Sequence, residues 1–198
     1  MTSPIITAKS SYRQPLEQRF RIDGTAIVIF DSRVDDLPLL LAGLRPNISA
    51  YVLDPDRDGI EQISQLIYQQ PTTSLTLVAH GAPGELQLGS GKLELGNLND
   101  YTRYLQSWFR TADAPQLNLL ACHVAAGDVG IEFIEELSAL TGTVVTASAN
   151  AVGNGQWPPM AAQTFQQTVL EQYTSTLVLT FKEDIKDGTF DGGDPDSN

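Results

Sequence analysis

The sequence is poor in cysteine, in histidine and in positive charge. Cys122 is the only cysteine among 198 residues, which excludes an internal disulfide. The 12 basic and 24 acidic side chains give a net charge of -12, so phosphate groups are repelled. We therefore expect neither nucleic acid nor anionic membrane as a partner.

Long apolar runs are also missing. No segment approaches the roughly 18 to 20 apolar residues that a membrane span needs, and residues 1–20 contain no apolar run of signal-peptide length. We expect a soluble protein without membrane insertion and without an N-terminal signal peptide.

The apolar residues that are present suffice for one core. Hydrophobic residues make up 41% of the chain, and no break in composition divides it into two domains. We predict a flexible lead-in over residues 1–23, one α/β domain over 24–181, and an acidic, glycine-rich tail or linker over 182–198. The oligomeric state is not indicated by the pattern.

Short apolar runs rich in β-branched residues alternate with helical patterns along this domain. The runs predict strands at 26–30, 50–53, 75–79, 117–121 and 143–147. Two alternating segments around residues 89–91 predict a β-hairpin over 85–95. The alternation predicts a mainly parallel sheet flanked by helices on both faces, with the hairpin as an insertion beside it.

Helical patterns fill the connections between these strands. The clearest follows Asp58, which is placed to cap a helix with Glu61 three residues later. Other patterns predict helices over 37–44, from Asn97 to about Trp108, and from residue 127 to 142, the last with Ile131 on its buried face. Segments 165–170 and 176–181 are left open as edge strands or packing segments.

Two residues with nucleophile and base chemistry stand where predicted strands end. His80 follows the third strand and Cys122 follows the fourth, and sites in open parallel sheets form at these carboxyl ends. If the two strands are neighbours, their ends lie about 5 Å apart. We predict a catalytic dyad of Cys122 and His80, with an oxyanion hole made by the amides of Gly81 and Cys122.

A structural interpretation of the same residues stands beside the catalytic one. Cys122 is then a buried small hydrophobe and His80 a hydrogen-bonded residue at the end of a strand. An active thiol is expected to be exposed and reactive, whereas a silent one resists labelling.

No cofactor or metal is expected. Adding His123 to His80 and Cys122 falls short of a structural zinc set. Residues 54–59 match the opening of a calcium loop, but Gln65 stands where that loop needs glutamate, which favours a turn and helix cap.

The motifs LTLVAHG and LNLLAC resemble the histidine and cysteine motifs of the caspase, gingipain and legumain superfamily. Over residues 25–150, through IVIFDSRVDD, VLDPDRDGIEQI, VAHGAPGELQLG and LLACHVAAG, the chain is similar to a bacterial domain found near the start of very large secreted adhesin-like proteins with calcium-binding or cadherin-like repeats. The resemblance implies a caspase-type fold and a secreted or cell-surface setting. The glutamine before Ala121 and the glycine at Val124 of the caspase signature are absent, so specificity for aspartate is not carried over.

The superfamily resemblance also implies a substrate pocket at the ends of the first and fifth strands. The residues there are Asp31, Arg33, Ser148 and Asn150. Asp31 would favour a basic residue before the cleaved bond and Arg33 an acidic one. Alternatively, Asp31 and Arg33 pair with each other or cap the next helix.

The function predicted from these features is that of a cysteine endopeptidase or self-processing domain. Its partner is then a peptide or protein substrate, either its own parent chain or a surface protein. The alternative is a catalytically silent module for peptide binding or export assembly, in which the same cleft holds a segment uncut.

Overall fold

Eight strands form two sheets in the computed structural model, which describes residues 26–179 except 111 and 113. The predicted lead-in over 1–23 and tail over 182–198 lie outside the described residues. The strands are β1 (Ala26–Phe30), β2 (Ile48–Val52), β3 (Ser74–Val78), β4 (Gly81–Ala82), β5 (Glu85–Leu88), β6 (Gly91–Glu94), β7 (Gln116–Leu120) and β8 (Val144–Ala147).

The main sheet is parallel and has the order β2-β1-β3-β7-β8. The small sheet is antiparallel, has the order β4-β5-β6, and contains the predicted hairpin. The predicted α/β class, with a mainly parallel sheet and an inserted hairpin, is confirmed. Because β3 and β7 are neighbours, the strands that precede His80 and Cys122 end side by side.

Helices cover both faces of the main sheet. They are α1 (Leu37–Ala42), α2 (Gly59–Gln69), a 3-10 helix over Leu95–Tyr101, α3 (Thr102–Leu105), α4 (Gly127–Thr141), α5 (Ala161–Thr164) and α6 (Gln167–Gln172). One apolar cluster joins the sheet to α2, α3 and α4, and a second joins the opposite face to α1, α5 and α6. Among the helices of residues 26–179, none has the length and apolar composition that crossing a membrane requires.

The predicted cap of α2 is present. The Asp58 carboxylate accepts a hydrogen bond of 2.9 Å from the Glu61 backbone N–H and one of 2.6 Å from the Tyr101 hydroxyl. Asp58 therefore caps the start of α2, as predicted for the turn over residues 54–59. Through Tyr101 it also links α2 to the 3-10 helix.

Two details of the predicted helices are wrong. The expected helix from Asn97 is a 3-10 helix followed by the single α-helical turn of α3. The Asn97 side chain bonds back to the Glu94 N–H and the Lys92 carbonyl, which ties this segment to the hairpin. In α4, Ile131 is 54% exposed, and Phe133 occupies the buried face instead.

Of the two roles considered for residues 165–170, the packing segment is the one observed. The helix α6 starts at Gln167, and Phe165, Val169 and Leu170 are buried in the second apolar cluster.

Candidate active site

His80 and Cys122 follow adjacent strands and share one face of the sheet. Val78 pairs with Leu120, and the Ala79 N–H donates to the Leu120 carbonyl at 3.2 Å. Side chains alternate between the faces of a sheet, so residues two positions beyond this pair return to its face. His80 and Cys122 therefore stand side by side on the face that carries α1, α5 and α6.

A backbone carbonyl fixes the His80 imidazole. Nε2 lies 3.0 Å from the Arg33 carbonyl oxygen. Because a carbonyl only accepts, Nε2 carries the proton, which leaves Nδ1 of the neutral ring with a free lone pair. Nδ1 is buried and has no hydrogen-bond partner in the part of the chain that the structure describes. The ring is thus held in the tautomer in which Nδ1 is ready to accept a proton.

Asp31 holds the loop that supplies this carbonyl. Its fully buried carboxylate accepts from the Arg33 N–H and Nε, both at 3.0 Å, and from the Gly89 N–H at 2.8 Å. The Arg33 guanidinium also donates to the Gly89 carbonyl. Asp31 and Arg33 thus pair with each other, one of the two arrangements expected for them, and together they join the hairpin to the histidine. Their role in a substrate pocket stays a prediction.

The Cys122 thiol is buried and neutral at rest. Its sulfur accepts from the Val152 N–H at 3.1 Å and donates to the Val152 carbonyl at 3.4 Å. Burial raises the thiol pKa above its ordinary value, and the backbone amides of Val152 and Leu177 partly offset this by lowering it. Cys122 and His80 follow the ends of adjacent strands, and the thiol bonds to Val152 and not to the imidazole.

The two amides predicted to form an oxyanion hole converge on one atom. The Gly81 N–H and the Cys122 N–H donate to the Leu177 carbonyl oxygen at 3.0 and 3.1 Å. Two backbone donors aimed at a single peptide oxygen form the arrangement that stabilises an oxyanion in acyl transfer. Here that oxygen belongs to a peptide group of the same chain.

The segment that carries this carbonyl lies extended across the site. On one side, the Leu177 N–H donates to the Val152 carbonyl at 2.9 Å, and Thr176 pairs antiparallel with Gly153. On the other, the N–H of Leu179 donates to the Gly81 carbonyl at 3.0 Å. Residues 176–179, called the cis segment below, are thus held by strand-like backbone bonds from two loops, as peptides are held at open strand edges.

Gly81 leaves no room for a side chain. A Cβ at this position would lie 2.8 Å from the Ala121 Cβ and from the Val124 Cγ2, and 2.9 Å from the Cys122 carbonyl oxygen. Real Cβ atoms do not approach other heavy atoms so closely. The absence of a side chain lets Gly81 pack directly against residues 121–124, which follow β7.

Ser148 and Asn150 form a turn beside the site. The Asn150 N–H donates to the Ser148 hydroxyl at 3.0 Å, and the Asn150 carbonyl accepts from the His123 N–H at 3.0 Å. The His123 Nδ1 lies 3.3 Å from the Ala149 carbonyl. His123 is therefore engaged with this loop, and the assignment of Ser148 and Asn150 to a pocket stays a prediction.

The backbone groups that bond to His80, to the Cys122 thiol and to the two amides could not be predicted from the sequence. The Arg33 carbonyl, both backbone groups of Val152 and the Leu177 carbonyl act through the main chain, so their side-chain types carry no signal. The one clue was positional, because residues 176–181 form an apolar stretch with no assigned place in the sheet. Within residues 26–179, apart from 111 and 113, no group of three or more histidine, cysteine or acidic side chains is arranged to hold a metal ion.

A family model matches most of the chain. The family described as "Domain of unknown function (DUF4347)" matches residues 27–177. Curated proteins give no match. The crystal structure of caspase-1 from Spodoptera frugiperda aligns with 51% of this chain and 48% of its own, at 17% identity and a TM-score of 0.30. This chain thus spans about half of the insect protein, and a similarity of this size carries no argument about function.

Proposed function

Because the chain belongs to the DUF4347 family, which is defined without an assigned function, we propose a function from the geometry of its own site. The domain is a cysteine peptidase that holds an extended peptide and cleaves it with Cys122 as nucleophile and His80 as base. The observation that carries this proposal is the convergence of the Gly81 and Cys122 amides on a peptide carbonyl. A buried thiol without such donors would have no means of stabilising a tetrahedral intermediate.

Each group has one step to perform. The His80 Nδ1 takes the thiol proton, and the Cys122 sulfur attacks the carbonyl carbon of the bound peptide. The oxyanion then forms where the two amides already point, and such a donor is typically worth about 3 to 4 kcal/mol in the transition state. His80 protonates the leaving amine and later activates the water that hydrolyses the thioester.

The resting thiol sets a condition for this chemistry. Burial raises the Cys122 pKa, and the S–H bonds to the Val152 carbonyl, so the proton must leave that carbonyl before attack. The unpaired Nδ1 of His80 is the acceptor that the site provides. Activity should therefore depend on His80 more steeply than it would for a thiol that is already ionised.

The substrate is a peptide or protein. The resemblance to domains of adhesin-like proteins supports the parent chain or a neighbouring surface protein as that substrate, in a secreted or cell-surface setting. The net charge of -12 disfavours nucleic acid as an alternative ligand.

A catalytically silent module for peptide binding or export assembly is the second candidate. The observation that favours it is the state of Cys122, which is fully buried, neutral and bonded to Val152. In such a module the strand-like bonds to the cis segment serve to hold a peptide, and the thiol serves only to fill space.

Alkylation of Cys122 separates the two candidates. The rate of reaction with iodoacetamide is measured from pH 5 to 9 for the native protein, for His80→Ala and for the matched control His123→Ala. Only uncut chain, selected by intact mass, is compared, so residues 176–179 cover the site in all three proteins and the ratio of their rates compares the thiol and not its accessibility. A peptidase should show a higher apparent thiol pKa in His80→Ala, with His123→Ala like the native protein.

The same three proteins, with Cys122→Ala added, are then incubated with a mixture of peptides at several millimolar, so that the peptides can compete with the tethered residues 176–179. New termini that require both Cys122 and His80 support the peptidase. Identical alkylation profiles in all three proteins, together with uncut peptides, would refute it and leave the silent module.

A further inference from the structure

The peptide that lies in this site is part of the chain itself. We infer that the cis segment is bound as the domain's own substrate, with Leu177–Val178 as the bond to be cut. This inference rests on the proposed peptidase function and adds to it the cleavage position and the side chain that precedes it.

The register identifies the bond. The Leu177 carbonyl oxygen, and not that of a neighbouring residue, receives both donors of the oxyanion hole. One of those donors is the amide of Cys122 itself, at 3.1 Å, so this carbonyl is held against the residue that carries the nucleophile. The peptide bond of that carbonyl, Leu177–Val178, is therefore the bond in position for attack.

The environment of the Leu177 side chain defines the substrate class. Leu177 is fully buried in the apolar cluster that includes Cys122, Val152 and Tyr173, whereas Val178 is 37% exposed. These apolar surroundings select an aliphatic residue, because a charged side chain buried there would lose its hydration without gaining a partner. The site therefore takes an aliphatic residue before the cleaved bond and tolerates varied residues after it.

Asp31 and Arg33 do not supply a charge for that position. The Asp31 carboxylate is fully buried and bonded to the backbone amides of Arg33 and Gly89 as well as to the guanidinium. A substrate lysine or arginine would have to displace these bonds. This arrangement agrees with an aliphatic preference rather than a basic one.

The reaction adds one water to one peptide bond. Cys122 transfers its proton to His80 Nδ1, and the sulfur bonds to the Leu177 carbonyl carbon. The C–N bond to Val178 breaks as its nitrogen takes that proton, which gives a thioester and a free Val178 amine. Water then attacks the thioester, His80 accepts its proton and returns it to the sulfur, and Leu177 becomes a carboxylate. The products are residues 1–177 and 178–198.

The test follows the chain by intact mass and N-terminal sequencing after purification under reducing conditions. We expect the native protein to yield a fragment that begins at Val178, while Cys122→Ala and His80→Ala stay intact. Leu177→Met should still be cut, because methionine is apolar and of similar volume. Leu177→Asp should slow cleavage at least a hundredfold.

Leu170→Ala serves as the control for damage to the same apolar cluster, since Leu170 is buried there away from the amide donors. It should be cut at the native rate if it folds. Circular dichroism checks the fold of Leu177→Asp, and Val178→Pro gives a second variant that leaves Leu177 unchanged while it alters the leaving nitrogen. Leu177→Asp and Val178→Pro should both stay uncut at 177–178 over the time in which the native chain is cut.

Failure of this inference is distinguishable from failure of the proposed function. An intact 177–178 bond in a protein that cuts added peptides, with Cys122 and His80 required, overturns the inference and retains the peptidase. Cleavage elsewhere in the chain overturns it as well. An intact chain, uncut added peptides and alkylation that is insensitive to His80 overturn both.

Discussion

Replacement of Asp31 should destabilise the domain far more than replacement of an exposed aspartate. The Asp31 carboxylate is fully buried and accepts bonds from two backbone amides, those of Arg33 and Gly89. The Arg33 side chain is 41% exposed, so its guanidinium can return to water when the carboxylate is removed. The free energy lost therefore comes mainly from the two backbone donors.

The magnitude follows from those bonds. A hydrogen bond to a charged group contributes about 1.5 to 3 kcal/mol, so Asp31→Ala should lower the free energy of unfolding by about 3 kcal/mol or more. Asp31→Asn keeps one acceptor oxygen and should lose about half of that. Domains of this kind are stable by about 5 to 15 kcal/mol, so both variants should fold at 25 °C.

The assay is urea unfolding followed by tryptophan fluorescence, with the exposed Asp56→Ala as the matched control. Asp56→Ala should stay within about 0.5 kcal/mol of the native protein. Equal midpoints for Asp31→Ala and Asp56→Ala, at equal slopes, would show that the buried carboxylate contributes nothing and that the reasoning is wrong. Slower peptide cleavage in folded Asp31→Asn would add that the Arg33 carbonyl positions His80.

Three further predictions concern other parts of the structure. Gly81→Ala forces a Cβ to within 2.8 Å of the Ala121 Cβ, which displaces an oxyanion donor. Peptide cleavage should then fall about a hundredfold, and a native rate would contradict the role of this amide. Asp58→Ala removes the cap of α2 and the acceptor of the Tyr101 hydroxyl, and should cost about 1 to 2 kcal/mol in thermal unfolding, with Asp58→Asn closer to native. The folded state raises the pKa of Cys122, mainly by burial, and that of Tyr101 to about 12, mainly through its bond to Asp58. The native protein therefore holds protons that the unfolded chain releases, so stability should be full below pH 9 and decline as pH rises from 9 towards 12. Tyr101→Phe should make that decline shallower, and a pH-independent melting temperature would contradict the assignment.

Sequence patterns predicted the sheet well because a buried parallel strand is recognisable as a short apolar run. The run at Ala26–Phe30 is short and β-branched, and the strands before His80 and Cys122 are short and rich in leucine, which is typical of strands covered on both faces. The two strands before His80 and Cys122 are neighbours, which is the condition under which these residues were expected to face one cleft. The capping role of Asp58 was equally predictable, because an N-cap residue acts through its own side chain.

The buried face of α4 and the position of residues 176–179 over the site were harder to predict. In α4 the buried face includes Gly130, where a Cβ would lie 2.6 Å from the Val124 carbonyl oxygen, so this part of the helix packs through its backbone. Ile131 was expected on the buried face from its helical spacing with Ile134 and Leu137, and it is exposed. The position of Leu177 depends on main-chain bonds to Val152 and Gly81, for which every residue type carries the same groups.

The covalent connection of the cis segment has a consequence for any outside ligand. The helix α6 ends at Gln172, only four residues before Thr176, so this short tether keeps the segment beside its site. Short flexible tethers give effective concentrations of about a millimolar. A free peptide that made the same contacts would have to reach about that concentration to occupy half of the sites. Screens with micromolar peptides should therefore detect little binding to this chain.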